Sequence, residues 1–133
     1  MTWRPSNAVV WFGVLGGAAA WATQFVANLA LTFARCDQVP PRFMPAVHGW
    51  EIGLSAAALG VGLAAVGVCL RLFLRTFRID AVSMHERRGD GSPPPIGRLH
   101  FLAIIGLTVN FLALTIIVMT GVGAPLLPVC QQA

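Results

Sequence analysis

Charge is scarce in this sequence, and none of it lies inside the three long apolar runs. Only five of the 133 residues are acidic, and the nine basic residues are all arginine. The runs extend from about Val9 to Ala34, from Ile52 to Leu70 and from Phe101 to Ala124. Proton pumps and coupled transporters normally need buried ionisable side chains within their spans, so this absence argues against both functions.

Patterns of catalytic residues are missing as well. The sequence has no Ser-His-Asp arrangement, no HExxH, no Walker motif and no GxGxxG fingerprint. Once three apolar runs are assigned, 133 residues leave little chain for a second domain or a soluble catalytic core. We therefore expect one domain, residues 1–133, that is not an enzyme and has no cofactor of its own.

Each apolar run is long enough to cross a lipid bilayer. A spanning helix needs roughly 20 apolar residues to cross about 30 Å of hydrocarbon. Inside lipid the backbone must satisfy its own hydrogen bonds, which requires helices here. The sequence, with a mean hydropathy of +0.74, predicts an all-α integral membrane protein with three transmembrane helices at about residues 9–34, 49–78 and 98–124. A cleaved signal peptide is the alternative for the first run, but its apolar part would be only about 7–15 residues long.

The arginines are distributed unevenly between the two ends of these helices. If the helices alternate in direction, seven arginines fall on one side: Arg4, Arg71, Arg75, Arg78, Arg87, Arg88 and Arg98. Arg35 and Arg42 fall on the other side. Basic residues concentrate on the cytoplasmic side of membrane proteins, which predicts a cytoplasmic N-terminus and an outside C-terminus. The basic charge then suits anionic lipid headgroups and not nucleic acid.

Two of the three cysteines share the outer side in this topology. Cys36 follows the first helix and Cys130 follows the third. Because that compartment is oxidising in bacteria, a disulfide between Cys36 and Cys130 is the simplest expectation. The alternatives are two unpaired thiols, or a thiol or copper site that also draws on Met44 and His48. Cys69 has no partner and is expected to pack as a small hydrophobic residue.

Small residues recur every three or four positions in all three predicted helices. Such lines let helix backbones approach closely, as membrane helices do when they associate. The residues that we expect in helix packing are Gly13, Gly16, Ala20, Gly53, Ala57, Gly60, Ala64, Gly67, Gly106 and Asn110. A leucine at Gly60 should then force the helices apart, whereas one at Val61 should be tolerated. Chance spacing in a chain rich in alanine and glycine is the alternative.

Four polar side chains are candidates for contact with a partner: Gln24, Asn28, His48 and Glu51. Gln24 and Asn28 lie four residues apart on the first helix, where amides hold helices together or line a path for water or protons. His48 marks the outer start of the second helix, while His100 starts the third helix at the inner side. The two histidines should lie on the order of 30 Å apart. One haem therefore cannot take both as ligands.

Several of these residues together resemble a family of small three-helix membrane proteins that is encoded beside bacterial haem–copper cytochrome c oxidases. The family pattern has a Trp followed by His or Gln, an outer Cys after the first helix, a His opening the second helix and a terminal Pro-x-Cys element. The matching positions are Trp21, Gln24, Cys36, His48, Asn110 and Cys130. The terminal element reads Leu127-Pro128-Val129-Cys130, whereas an acidic residue often precedes Pro-Cys in the family.

The resemblance covers nearly the whole chain and implies association with a respiratory complex. We therefore expect an accessory, non-catalytic subunit that stabilises a cytochrome c oxidase in the bacterial inner membrane. Its partners would be membrane lipids and the other subunits of a hetero-oligomeric complex, not nucleic acid. Two alternatives stay open. One is an assembly factor that delivers copper or haem, and the other is a small homo-oligomeric channel or transporter supported by the polar stripe at Gln24 and Asn28.

Overall fold

The computed structural model consists of three helices over the residues that it describes. The described residues are 6–36, 45–86 and 97–123, with side chains described over 6–34, 49–78 and 98–123. The helices are α1 (Asn7–Cys36), α2 (Pro45–Glu86) and α3 (Gly97–Gly123). The predicted all-helical fold is therefore confirmed for this part of the chain.

Each helix contains an apolar segment long enough to cross a membrane. These segments are Asn7–Ala34, Gly49–Arg78 and Arg98–Gly123, which confirms the prediction of three helices of membrane-spanning length. The helix α2 continues from Arg78 to Glu86, a further eight residues, or about 12 Å at ~1.5 Å per residue. It is thus much longer than its apolar segment requires.

The three helices alternate in direction and each contacts the other two. A Cβ atom at Gly13 would meet Cys69 and one at Gly16 would meet Ala65, so α2 runs antiparallel to α1. The helices α1 and α3 start at the same end, which we call the N-terminal end of the bundle. The opposite end, where α2 starts, is its C-terminal end.

Small side chains fill the interior, and bulky ones cover the outside. The buried positions among the described residues include five glycines and four alanines, such as Ala65 and Ala103, and Ile117 is the largest fully buried side chain there. The outer surface carries large apolar groups that are more than half exposed: Trp11, Phe33, Phe101, Phe111 and Met119. This arrangement suits a membrane, because lipid solvates bulky side chains while small ones let backbones approach.

The helix α2 packs along a different line from the one that its small-residue spacing indicated. Its buried residues are Glu51, Ala58, Gly62, Ala65, Cys69, Leu72 and Thr76. Gly53, Ala57, Gly60 and Ala64 are exposed, and Gly67 is half-buried. The two lines lie on nearly opposite sides of the helix, at ~100° per residue. Both are rich in small residues, so spacing alone does not show which line faces the bundle.

Candidate functional site

The carboxamide of Asn110 joins α3 to the backbone of α1. Asn110 has no exposed surface. Its Nδ2 donates a hydrogen bond to the Gly13 carbonyl oxygen, and its Oδ1 accepts one from the Gly17 N–H at 2.8 Å. In a regular α-helix the N–H of residue 17 donates to the carbonyl oxygen of residue 13. The Asn110 carboxamide therefore bonds both partners of one backbone hydrogen bond of α1. Both polar ends of Asn110 are satisfied inside the bundle.

The close packing around the Asn110 bridge depends on glycines of both α1 and α3. A Cβ atom at Gly17 would collide with Asn110 Oδ1, and one at Gly13 would lie 3.1 Å from Cys69 Sγ. A Cβ atom at Gly106 would lie 2.5 Å from the same sulfur. The structure thus places the predicted packing residues Gly13, Gly106 and Asn110 together around Cys69. Gly17 is the member that sequence reasoning missed, although its position one turn after Gly13 carried the signal.

A second polar cluster lies near the C-terminal end of the bundle. Gln24 is 3 % exposed, and its Nε2 donates to Ser55 Oγ at 2.8 Å. Glu51 is 7 % exposed and lies one turn from Ser55 on α2. Three buried oxygens here, Gln24 Oε1, Asn28 Oδ1 and Glu51 Oε2, receive no hydrogen bond from any described residue.

The helix register places these groups at neighbouring levels of the bundle. Gly16 faces Ala65 and Gln24 faces Ser55 across the antiparallel pair α1 and α2. One further turn brings Asn28 on α1 level with Glu51 on α2. We call Gln24, Asn28, Glu51 and Ser55 the polar layer.

Glu51 corrects one expectation from the sequence. We expected no ionisable side chain to be buried within a span, with Glu51 only marking the start of the second helix. That expectation is wrong, because Glu51 lies within the apolar segment Gly49–Arg78 and is buried against the other helices. The α-helix begins earlier than predicted, at Pro45, so Glu51 is already one and a half turns into it.

The N-terminal end holds a histidine whose ring is fixed by neighbours. His100 Nδ1 lies 3.0 Å from Thr76 Oγ1, and its ring stacks on Phe73 with centroids 4.9 Å apart. Among the residues that the structure describes, no group of three His, Cys, Asp or Glu side chains could hold a metal ion. His100 therefore serves α2–α3 contact in this structure.

Two predictions, the disulfide and the partner contact at His48, concern groups outside the described part of the chain. Cys130 and the side chains of Cys36 and His48 are not among the described groups. The disulfide between Cys36 and Cys130 therefore stays a prediction. Mass analysis after alkylation without reductant should find Cys36 linked to Cys130. Cys69 should escape alkylation while the bundle is folded and react once it unfolds. Ready alkylation of both Cys36 and Cys130 without reductant would contradict it.

The exposed line of small residues on α2 is the third feature. No atom lies within 4 Å of a Cβ built at Gly53, Gly60 or Gly67. Beside this line, a groove of about 380 Å³ runs between α1 and α2, with Ala57 and Phe12 among its lining residues. We call the line Gly53, Ala57, Gly60, Ala64 and Gly67 the outer glycine face.

Comparison of this chain with protein families, curated proteins and solved structures finds no match. The features that bear on function are therefore its own: the Asn110 bridge, the polar layer and the outer glycine face. The first is satisfied within the bundle. The polar layer has oxygens that the described residues leave unpaired, and the outer glycine face is turned away from α1 and α3.

Proposed function

We propose that this chain is an accessory, non-catalytic subunit of a larger membrane complex, in particular of a cytochrome c oxidase in a bacterial inner membrane. The observation that carries the proposal is the outer glycine face. Three described helices already form a bundle, yet α2 presents a second surface built for close helix contact.

Glycine and alanine lines bring membrane helices together because they allow backbone-to-backbone contact. A helix facing lipid has no use for such a line, and α3 exposes bulky side chains instead, as at Phe101 and Phe111. Gly53, Gly60 and Gly67 have open space beside them. A transmembrane helix of a partner subunit would fill that space and continue into the groove beside Ala57.

The charge distribution supports one orientation in the membrane. Arg71, Arg78 and Arg98 are exposed and belong to the N-terminal end of the bundle. Positive residues favour the cytoplasmic side, so we place the N-terminus in the cytoplasm and the C-terminus outside. Arg71 and Arg78 on α2 would then lie near the cytoplasmic headgroups, where arginine binds anionic lipid.

The assignment to an oxidase depends on the resemblance of Trp21, Gln24, Cys36, His48, Asn110 and Cys130 to the oxidase-associated family. Purification in mild detergent tests it, with identification of every chain that accompanies this protein. Oxidase subunits at equal stoichiometry are the expected result. Recovery in trace amounts, only during assembly, would favour an assembly factor, and recovery of this chain alone as a homo-oligomer would favour a channel.

The docking surface can be tested by a matched pair of substitutions. Gly60→Trp fills the outer glycine face, so we expect about tenfold less partner to be recovered, a loss of about 1.4 kcal/mol in binding. Phe111→Trp is the control, because Phe111 is bulky, 69 % exposed and lies on α3, a different helix. Both variants should keep the thermal stability of the isolated chain, since Gly60 has open space beside it and the Phe111 side chain is mostly exposed. Equal partner recovery from the two variants would contradict the assignment of this surface.

A further inference from the structure

Three acceptor oxygens of the polar layer receive no hydrogen bond from the described residues. Gln24 Oε1, Asn28 Oδ1 and Glu51 Oε2 are buried oxygens to which no described residue donates. The hydrogen bond from Gln24 Nε2 to Ser55 Oγ uses the donor end of Gln24, while its carbonyl oxygen receives none from the described residues. A buried unpaired oxygen is costly, and several together cost more.

We propose that Gln24, Asn28 and Glu51 bind a monovalent cation of sodium size. Hard cations are bound in proteins by carboxylate, carbonyl and hydroxyl oxygens, which are the groups present here. The described part of the layer contains one carboxylate, from Glu51, so a single positive charge neutralises it. Calcium sites generally combine several carboxylates with six to eight oxygen ligands, and one carboxylate with two amides does not match that set.

The position of the layer gives the cation access from water. Glu51 lies two residues inside the end of its apolar segment, which begins at Gly49, so it is about 3 Å from that end along the helix axis. Asn28 lies at the same level on α1, and Gln24 follows one turn deeper. The cation would enter at Glu51 and be held between α1 and α2, where it ties the two helices together.

The same geometry makes this a structural site and not a transport path. The next buried amide, Asn110, lies at the level of Gly17, seven residues from Gln24, or about 10 Å along α1. Both ends of Asn110 are already bonded to α1. The described residues between these levels include the fully buried Ile117 and Ala113, which offer a cation no ligand.

Carbodiimide labelling tests the site directly in the full chain. Dicyclohexylcarbodiimide modifies protonated carboxyl groups in apolar surroundings, and mass spectrometry reports the modified residue. A bound cation excludes the proton from Glu51, so sodium at ten times its dissociation constant should slow labelling roughly tenfold. Choline chloride at equal concentration and pH should have no effect. The melting temperature should also be higher in sodium than in choline.

Two substitutions separate the site from general stability. Asn28→Leu removes a ligand and should abolish the sodium effect on both labelling and melting temperature. Thr23→Val is the control, because the Thr23 hydroxyl is exposed and bonds the Ala19 carbonyl of its own helix. If the leucine variant fails to fold, Asn28→Asp supplies a second carboxylate of the same shape and should make calcium protect better than sodium.

Several outcomes would overturn the proposal. Labelling of Glu51 at the same rate in sodium and choline would mean that a protonated Glu51 donates to a neighbouring amide oxygen without a cation. A Glu51 that does not react with the carbodiimide in either salt, together with equal melting temperatures in sodium and in choline, would also contradict the proposal. So would a sodium effect that persists unchanged in the Asn28→Leu variant. None of these results bears on the partner surface at Gly60, which lies on the opposite side of α2.

Discussion

Replacing Gly17 with alanine is expected to destabilise the bundle far more than the added methyl group suggests. The new Cβ would collide with Asn110 Oδ1 and would lie 3.3 Å from the Asn110 Cα, which belongs to backbone that cannot easily move. Overpacking of this kind costs about 1–3 kcal/mol, and displacement of the carboxamide adds the loss of its bonds to α1. Thermal unfolding in detergent, followed by circular dichroism, measures the effect.

A double substitution tests whether the effect comes from the Asn110 bridge. Asn110→Ala removes the atom with which the new methyl group collides, so Gly17→Ala should cost less in that background. The coupling between such contacting residues is about 0.5–3 kcal/mol. Gly60→Ala is the matched control: it has open space around it, and alanine is the better helix former. Additive losses in the double variant would contradict the bridge as the cause.

The second large effect is expected at Gly62. A Cβ there would lie 2.7 Å from Leu114 Cδ2 on α3, so Gly62→Leu should push α2 and α3 apart. We expect a loss of about 1–3 kcal/mol or more, visible as a lower melting temperature. Gly60→Leu, two residues away on the outer glycine face, should leave the isolated chain nearly unchanged. Gly62→Ala should be mild, because the end of the Leu114 side chain can rotate away.

The effects expected for Gly60→Leu and Gly62→Leu are the reverse of those that the spacing of small residues predicts. From the sequence, Gly60 belongs to the packing line and Gly62 does not. The structure puts Gly62 against Leu114 and leaves Gly60 open. If Gly60→Leu destabilised the isolated chain as strongly as Gly62→Leu, the rotation of α2 described here would be wrong.

Particular residues show where sequence reasoning reaches its limit. Asn110 is an amide in an apolar helix, and the structure leaves it no exposed surface. Its partners Gly13 and Gly17 could not be named together, because they lie 93 or more residues away in the chain. Glu51 appeared interfacial because the apolar run starts after it. Its burial comes from the packing of the helices, where the antiparallel register brings Asn28 to its level.

The sequence by itself determined that there are three helices, their approximate limits and their membrane-spanning length. These properties are local: an uncharged run of about 20 residues must form a helix in lipid to satisfy its own backbone. The tertiary structure alone decided how each helix is rotated and aligned. The line with Gly62 and Ala65 and the line with Gly60 and Ala64 have similar local sequence, so only contacts with α1 and α3 distinguish them. Those contacts, including the Asn110 bridge and the Gln24–Ser55 hydrogen bond, turn one small-residue line inward and leave the other available for a partner.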